Sequence, residues 1–208
     1  MLNGGDNSSL VIDKLCDEAD ANIAVVCVYC DFRAQEEQSA TGILGTLLKQ
    51  VVSGLEPIPE EVQRAFEKSK RGVGGRRLLL PDILEILVKS LSHLRRAFIC
   101  IDALDEFPAK RRPEFWESLQ RIMRQCPKTR LFLTGRPHVR GEVQKYFPST
   151  VEMLPVGTKT HDIGLYLRMR LDRDPESSVM NQELEADILR IIPQMISRTY
   201  VFSQYSRF

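Results

Sequence analysis

The feature that most constrains the fold is a short apolar run ending in acids, AFICIDALDEF at residues 97–107. Its first five residues are apolar without alternation, which is typical of a strand buried on both faces of a parallel sheet. Asp102 ends the run, and Asp105 and Glu106 follow at once. Because open α/β sheets bind ligands beyond the carboxyl ends of their strands, we expect these acids at a ligand-binding edge. Clustered carboxylates need a compensating cation, and a hydrated Mg²⁺ that carries nucleotide phosphates meets that need.

Strand and helix patterns alternate along the rest of the chain. Strands are predicted at 23–30, 97–101, 130–134 and 150–154, and helices at 8–20, 41–53, 60–68, after Pro81, and at 113–126, 139–146, 160–171 and 184–196. Helix-length crossovers between strands predict a mostly parallel sheet with helices on both faces, a three-layer αβα fold of the α/β class. Only helical patterns follow Leu154. We therefore expect a nucleotide-binding core over residues 1–156 and a partial helical region over 157–208, with Pro193 kinking or ending the last helix.

Composition limits the classes of function. The 208 residues are 43% hydrophobic and 27% charged, which is typical of a soluble globular protein. A formal net charge of +1 argues against general attraction to nucleic acid or to an anionic membrane. No apolar run approaches the roughly 20 residues that span a bilayer. The first nine residues are polar and Gly-rich, unlike a signal peptide, so a cytoplasmic location is predicted.

Two of the five cysteines, Cys27 and Cys30, form a C-x-x-C spacing. Such a spacing is found in redox and zinc sites, but here it lies within a predicted strand. A separation of three places the two side chains on opposite faces of a strand, and no second C-x-x-C completes a metal site. We interpret both cysteines as structural thiols that behave as small hydrophobes.

Four segments, in order, resemble one family. The acid-tipped strand, ICIDALDEF, resembles the Walker B strand of the NACHT class of STAND nucleotide switches. The other three segments are VVCVYCDFR (25–33) with the helix that follows at 39–52, RLFLTGRP (130–137), and residues 151–171. They resemble, respectively, the second strand and its helix, the sensor-1 strand with its arginine, and the last strand leading into a helical lid. The resemblance covers about residues 8–200 and is closest to fungal NLR-like proteins with a nephrocystin-type NACHT region.

The resemblance assigns roles to four residues of the sheet edge. Asp102 would hold Mg²⁺, usually through water. Glu106 would position or deprotonate an attacking water, and Asp105 would shape the same acidic face. Arg136 would contact the γ-phosphate with its guanidinium group. Two alternatives need no nucleotide: Asp105 and Glu106 could form a solvated acidic turn, and Arg136 could form a structural salt bridge to Asp102 or Glu106.

The phosphate-binding loop of the family is missing from this sequence. That loop, G-x-x-x-x-G-K-[ST], cradles the phosphates with backbone N–H groups, while its lysine reaches the β- and γ-phosphates. In its place the chain offers Gly4 and Gly5 as remnants of the turn, and Ser8 or Ser9 as the cofactor-binding hydroxyl. No lysine precedes Lys14, and the strand that would carry the loop is absent too. The family is a slow NTPase, but without the lysine the enzymatic activity of this chain stays open.

Two functions remain in view. The first is a regulatory switch of the NACHT signalling type, as in innate immunity or heterokaryon incompatibility, which uses Mg²⁺ and ATP or GTP and binds protein partners or itself. The alternative is a non-catalytic protein-interaction module on the same fold, with no cofactor in this chain. A Mg²⁺-dependent nuclease or phosphatase is a poorer fit, because its acids would come from several strands rather than from one strand and its turn.

Overall fold

The computed structural model of the chain describes residues 5–34, 37–70, 78–148, 151–156, 160–173, 181–195 and 199–204. The helices are α1 (Gly5–Asp17), α2 (Ala40–Ser53), α3 (Glu60–Lys70), α4 (Leu80–Ser92), α5 (Arg112–Gln125), α6 (Arg140–Tyr146), α7 (Thr160–Leu171) and α8 (Gln182–Met195). The strands are β1 (Ile23–Tyr29), β2 (Arg96–Asp102), β3 (Thr129–Gly135), β4 (Val151–Val156) and β5 (Thr199–Gln204). The predicted α/β class is confirmed, and each predicted helix and strand is present with its ends shifted by a few residues.

Three parallel strands form the part of the sheet that carries the acids. β2 lies between β1 and β3, and the sheet continues in the order β1-β2-β3-β5-β4. The register places Tyr29 beside Asp102 and Ile101 beside Leu133. The carboxyl ends of β1, β2 and β3 therefore meet at one edge, as the sequence pattern predicted for parallel strands.

The prediction that no strand follows Leu154 is wrong. β5 lies between β3 and β4 and runs antiparallel to both, so that Phe202 is paired with Leu133 on one side and Met153 on the other. The segment predicted as purely helical thus returns to the sheet after α7 and α8. An antiparallel strand between β3 and β4 also makes this half of the sheet mixed rather than parallel.

The main core lies on one face of the sheet. Side chains of α2, α4 and α5 pack there against alternate residues of β1, β2 and β3, and Leu47, Leu87, Ile99 and Trp116 are fully buried. α1 contacts β1 and β2, and its Ile12 is buried. Apolar residues at helical spacing on the helices and at every second position on the strands are what build such layers.

The outer edge of β1 is closed by one side chain. Gln50 of α2 accepts a hydrogen bond from the Cys27 N–H at 2.9 Å and donates one to the Cys27 carbonyl at 2.8 Å. Both backbone groups of Cys27 point away from β2, where an unpaired strand edge would otherwise lie open. The glutamine amide, with one donor and one acceptor, thereby takes the place of a neighbouring strand at this residue.

The starts of α2 and α4 follow local chemistry. Ser39 caps α2 by accepting a hydrogen bond from the Gly42 N–H at 3.0 Å, and Pro81 lies in the first turn of α4. α1 begins at Gly5, three residues before the helix start predicted at residue 8. Ser8 and Ser9 belong to α1 by their backbone, but their side chains lie outside the described part, as does Gly4. α8 ends two residues after Pro193.

Among the described residues, no helix combines the length and the apolar character needed to traverse a bilayer.

Candidate functional site

Asp102 ends β2 with a buried side chain that is held from the neighbouring strand. The Thr134 hydroxyl on β3 donates a hydrogen bond to Asp102 Oδ1, and the Thr134 hydroxyl oxygen accepts the Ala103 N–H at 2.9 Å. Ala103 has φ 52° and ψ 45°, a left-handed conformation that costs an L-residue roughly 1–2 kcal/mol. Thr134 therefore fixes both the carboxylate and the strained turn that follows it. The sequence reading missed Thr134, whose only signal is a hydroxyl near the end of a strand next to the acidic one.

Asp105 holds Arg136 in place. Asp105 Oδ1 accepts the Arg136 backbone N–H at 3.1 Å, and Oδ2 lies 3.3 Å from the Arg136 Nε. The Asp105 side chain is 8% exposed, whereas that of Arg136 is 60% exposed. The predicted alternative of a salt bridge from Arg136 to Asp102 or Glu106 therefore named the wrong acid. Asp102 is turned toward Thr134 and Glu106 toward the turn after β1, so Asp105 is the carboxylate that reaches Arg136.

Glu106 connects two turns of the edge. Its Oε2 accepts the Phe32 N–H at 2.9 Å, which ties the turn after β2 to the turn after β1. The Cys30 N–H, donating to the Asp102 carbonyl at 3.0 Å, adds a second link between the same two segments. Glu106 thus has a structural contact, and its predicted role toward an attacking water stays a prediction.

The three acids diverge rather than form a cage. Asp102 faces Thr134, Asp105 faces Arg136 and Glu106 faces Phe32, and no three His, Cys, Asp or Glu side chains of the described ranges lie together as a metal site would require. Mg²⁺ is commonly held by one or two carboxylates, several waters and substrate phosphates. The residues present fit such a hydrated ion through Asp102, and they do not supply an all-protein site.

The acids surround a buried thiol. Burial, and to a lesser extent the carboxylates of Asp102, Glu106 and Asp105, raise the pKa of the Cys30 thiol to about 12. Burial also raises the pKa of the half-buried Cys27 thiol. Thiolates are the reactive form of cysteine, so both members of the C-x-x-C pair are protonated and unreactive at neutral pH. Cys30 is a small apolar packing group, as the sequence reading held.

A second polar cluster, which the sequence reading missed, lies behind the acids. Arg112 begins α5 with a side chain 7% exposed, and its Nη1 lies 3.2 Å from Glu142 Oε1 on α6. Glu142 Oε2 accepts the Trp116 Nε1–H at 3.0 Å. Arg112 Nε and Nη1 donate no hydrogen bond within the described part of the chain, so the contact with Glu142 is ionic. The positive charge of Arg112 partly offsets the rise that burial and the acids cause in the pKa of the Cys30 thiol.

Thr134→Val should destabilise the protein without changing the shape of the strand. The substitution removes the donor to Asp102 and the acceptor of the Ala103 N–H while keeping a β-branched side chain. A hydrogen bond to a charged group contributes about 1.5–3 kcal/mol, so the free energy of unfolding should fall by about 2 kcal/mol in urea denaturation. Thr134→Ser keeps the hydroxyl and should lose much less. Equal losses in the two variants would assign the effect to packing instead.

The fold and the edge together define a class of protein. Parallel strands flanked by helices, with polar and acidic side chains at their carboxyl ends, make an α/β domain of the P-loop-like αβα type. The family model described as Nephrocystin 3, N-terminal, matches residues 7–136, more than half of the chain. The chain belongs to this family. The match includes every predicted site residue, from Ser8 to Arg136, and stops before α6.

Neither the curated proteins nor the solved structures gave a match to this chain.

Proposed function

We propose that the chain is a NACHT-type nucleotide switch of the STAND class, a signalling module of fungal NLR-like proteins that works in the cytoplasm. The proposal rests on one observation: at the carboxyl ends of the adjacent parallel strands β2 and β3, Thr134 holds the Asp102 carboxylate, and Arg136, held by Asp105, follows directly after β3. This is the edge at which α/β sheets bind ligands. A fixed carboxylate beside a largely exposed arginine is the pair of charges that suits a magnesium-bound polyphosphate.

In this proposal each residue has a separate task. Asp102, as the Walker B acid, would hold Mg²⁺ through water, and the ion would neutralise the phosphate charge when ATP or GTP is bound. Thr134 keeps the Asp102 carboxylate in one orientation. Arg136 exchanges its contact with Asp105 for a phosphate oxygen, and the backbone bond from Asp105 keeps the start of that side chain in position. Glu106, which accepts the Phe32 N–H in this structure, would orient the attacking water.

The change of partner at Arg136 is what would make the site a switch. A ligand shifts a conformational equilibrium only as far as it contacts the two states differently. Without phosphate, Arg136 is held by Asp105. When phosphate takes Arg136, Asp105 loses its counterion, and the turn formed by Leu104–Glu106 loses the contact that holds it to Arg136. The turn is then expected to change conformation. The sequence contains no G-x-x-x-x-G-K-[ST] segment, so the expected affinity is weaker, and hydrolysis slower, than in relatives with that loop.

A second candidate, a non-catalytic interaction module, is favoured by a specific observation. Asp102, Asp105 and Glu106 each accept a hydrogen bond from the protein itself, so the edge has internal partners without any nucleotide. On this alternative the acids stabilise the turns, and function lies in contacts with other proteins or with further copies of the chain.

Titration with a fluorescent ATP analogue in the presence of Mg²⁺ separates the two candidates. We expect saturable binding that disappears when EDTA removes Mg²⁺, and Asp102→Asn should weaken it by about tenfold or more. Asp20→Asn is the matched control, because Asp20 pairs with Arg95 at 2.9 Å near the amino ends of β1 and β2, away from the candidate edge. A GTP analogue measured in parallel defines the preferred base.

Two outcomes would contradict the switch. Absence of binding at millimolar ATP and GTP leaves the interaction module as the function. Binding that Asp102→Asn and Asp20→Asn weaken equally would show that the nucleotide lies somewhere other than the edge formed by β2 and β3.

A further inference from the structure

One strand position inside the sheet is occupied by the last strand of the sequence, β5. β3 and β4 are consecutive strands, yet they are not neighbours, because β5 lies between them. Two strand spacings separate them by roughly 9.5 Å. Every residue from Leu131 to Gly135 of β3, and every residue of β4, has a partner in β5. We call this position the β3–β4 slot. Without β5, two strand edges would lie open in the interior of the sheet.

The segment that fills the slot is joined to the body mainly through that strand. We define the C-terminal arm as α7, α8 and β5. α7 and α8 contact each other, and no described side chain of either helix belongs to the hydrophobic core formed by α2 to α6 and the strands. Ile163 is buried, but five other large apolar side chains of the two helices are between 37% and 54% exposed, namely Leu165, Met169, Leu184, Ile191 and Ile192. Among the described residues, the backbone ladder of β5 is therefore the main attachment of the arm to the rest of the sheet.

We propose that the β3–β4 slot is a strand-acceptor site and that two copies of the chain exchange their C-terminal arms through it. The occupant is β5 of a second copy, because its register with Leu131–Gly135 and with Val151–Val156 is already encoded in the sequence. Exchange preserves every backbone pair of the ladder, which is why swapping identical elements is a low-cost route to a dimer.

The direction of β5 supports the same inference. The three strands β1, β2 and β3 are parallel and linked by helical crossovers, whereas β5 runs against both of its neighbours. An antiparallel pairing imposes no crossover of fixed hand, so the arm can enter the slot from its own body or from a neighbouring one with the same ladder. The proposal does not depend on nucleotide binding.

Cysteine pairs placed across the ladder test the exchange in the full chain. Glu152 of β4 is exposed and is the partner of Ser203 in β5. Two variants are prepared, one with Glu152→Cys and one with Ser203→Cys. Both also carry Cys16→Ser, which removes the exposed native thiol. The two variants are mixed in urea, refolded together and oxidised with copper phenanthroline. We expect a disulfide-linked dimer on a non-reducing gel and a dimer by light scattering. The control Val156→Cys, whose partner is Thr199, should not cross-link to Ser203→Cys.

Each result decides the question. A linked dimer from Glu152→Cys with Ser203→Cys, and none from the mismatched control, supports exchange. A monomer throughout, with a disulfide formed only inside a chain carrying both substitutions, shows that each arm fills its own slot and overturns the proposal. A dimer by light scattering that never forms the matched disulfide overturns it as well, because the copies would then associate through another surface. Light scattering of the unsubstituted chain over a range of concentrations guards against effects of the substitutions on folding.

Discussion

Replacing Trp116 with alanine is expected to lower the free energy of unfolding by about 3–5 kcal/mol, the usual cost of emptying a buried aromatic site. The Trp116 side chain is fully buried and contacts three other aromatic rings. Its ring stacks on that of Tyr146 with 5.7 Å between the ring centroids. The centroids of Phe115 and Phe147 lie 6.2 Å and 6.0 Å away. The indole N–H also satisfies Glu142, so alanine removes packing and a hydrogen bond together.

Urea denaturation followed by far-ultraviolet circular dichroism measures this loss, because Trp116 is the chain's one tryptophan and its fluorescence disappears with it. Trp116→Phe is the matched control. It keeps most of the apolar volume and removes the donor to Glu142, so its loss should be about 1–3 kcal/mol, near the cost of an unsatisfied acceptor plus a small cavity. A loss in Trp116→Ala no larger than in Trp116→Phe would mean that the ring is not a core group.

The second large effect is expected from breaking the ion pair between Arg112 and Glu142. Glu142→Gln keeps an oxygen for the Trp116 N–H but leaves the Arg112 guanidinium buried without its counterion. Removing one partner of a buried pair costs about 3–5 kcal/mol, and since the Glu142 side chain is 37% exposed we expect about 3 kcal/mol in urea denaturation. The guanidinium is already short of hydrogen-bond acceptors among the described residues, which leaves it little alternative compensation.

A double-mutant cycle isolates the charge contribution. Arg112→Met removes the charge and keeps a long apolar side chain, so Arg112→Met with Glu142→Gln should be less destabilised than the sum of the two single variants by about 1–3 kcal/mol. Additive losses would show that the two charges do not interact, and that Arg112 instead serves the acidic edge around Cys30.

Most of the fold could be predicted from hydrophobic periodicity. Apolar runs at 23–30 and 97–101 predicted β1 and β2, of which β2 is the one buried along most of its length, and amphipathic spacing predicted α2 and α4. β5 was missed for a physical reason. Its sequence, TYVFSQ, has aromatic and β-branched residues of high strand propensity, but it follows soon after the amphipathic pattern of α8. A run of that length directly after an amphipathic helix does not distinguish a strand from the frayed end of the helix.

The candidate site was predicted less completely than the fold. The order of parallel strands explains why Asp105 and Arg136, 31 residues apart in sequence, could be expected at one edge. Which acid takes the arginine depends on side-chain direction within a three-residue turn, and no sequence pattern encodes that direction. Thr134 was missed because threonine is an ordinary strand residue, and Arg112 because a charged residue at a helix start is normally assumed to be solvated.

The glutamine that caps the outer edge of β1 has a consequence for how copies of this chain can meet. Gln50 makes two amide hydrogen bonds to the backbone of Cys27, which hinders pairing of β1 with a strand of another copy at this residue. Edge-to-edge growth of the sheet into an intermolecular ribbon is thereby opposed. Association by strand pairing is thereby expected to give closed oligomers of defined size rather than open-ended polymers. Gln50→Ala would expose the backbone groups of Cys27 at the outer edge of β1. We expect this variant to form filaments on gentle warming.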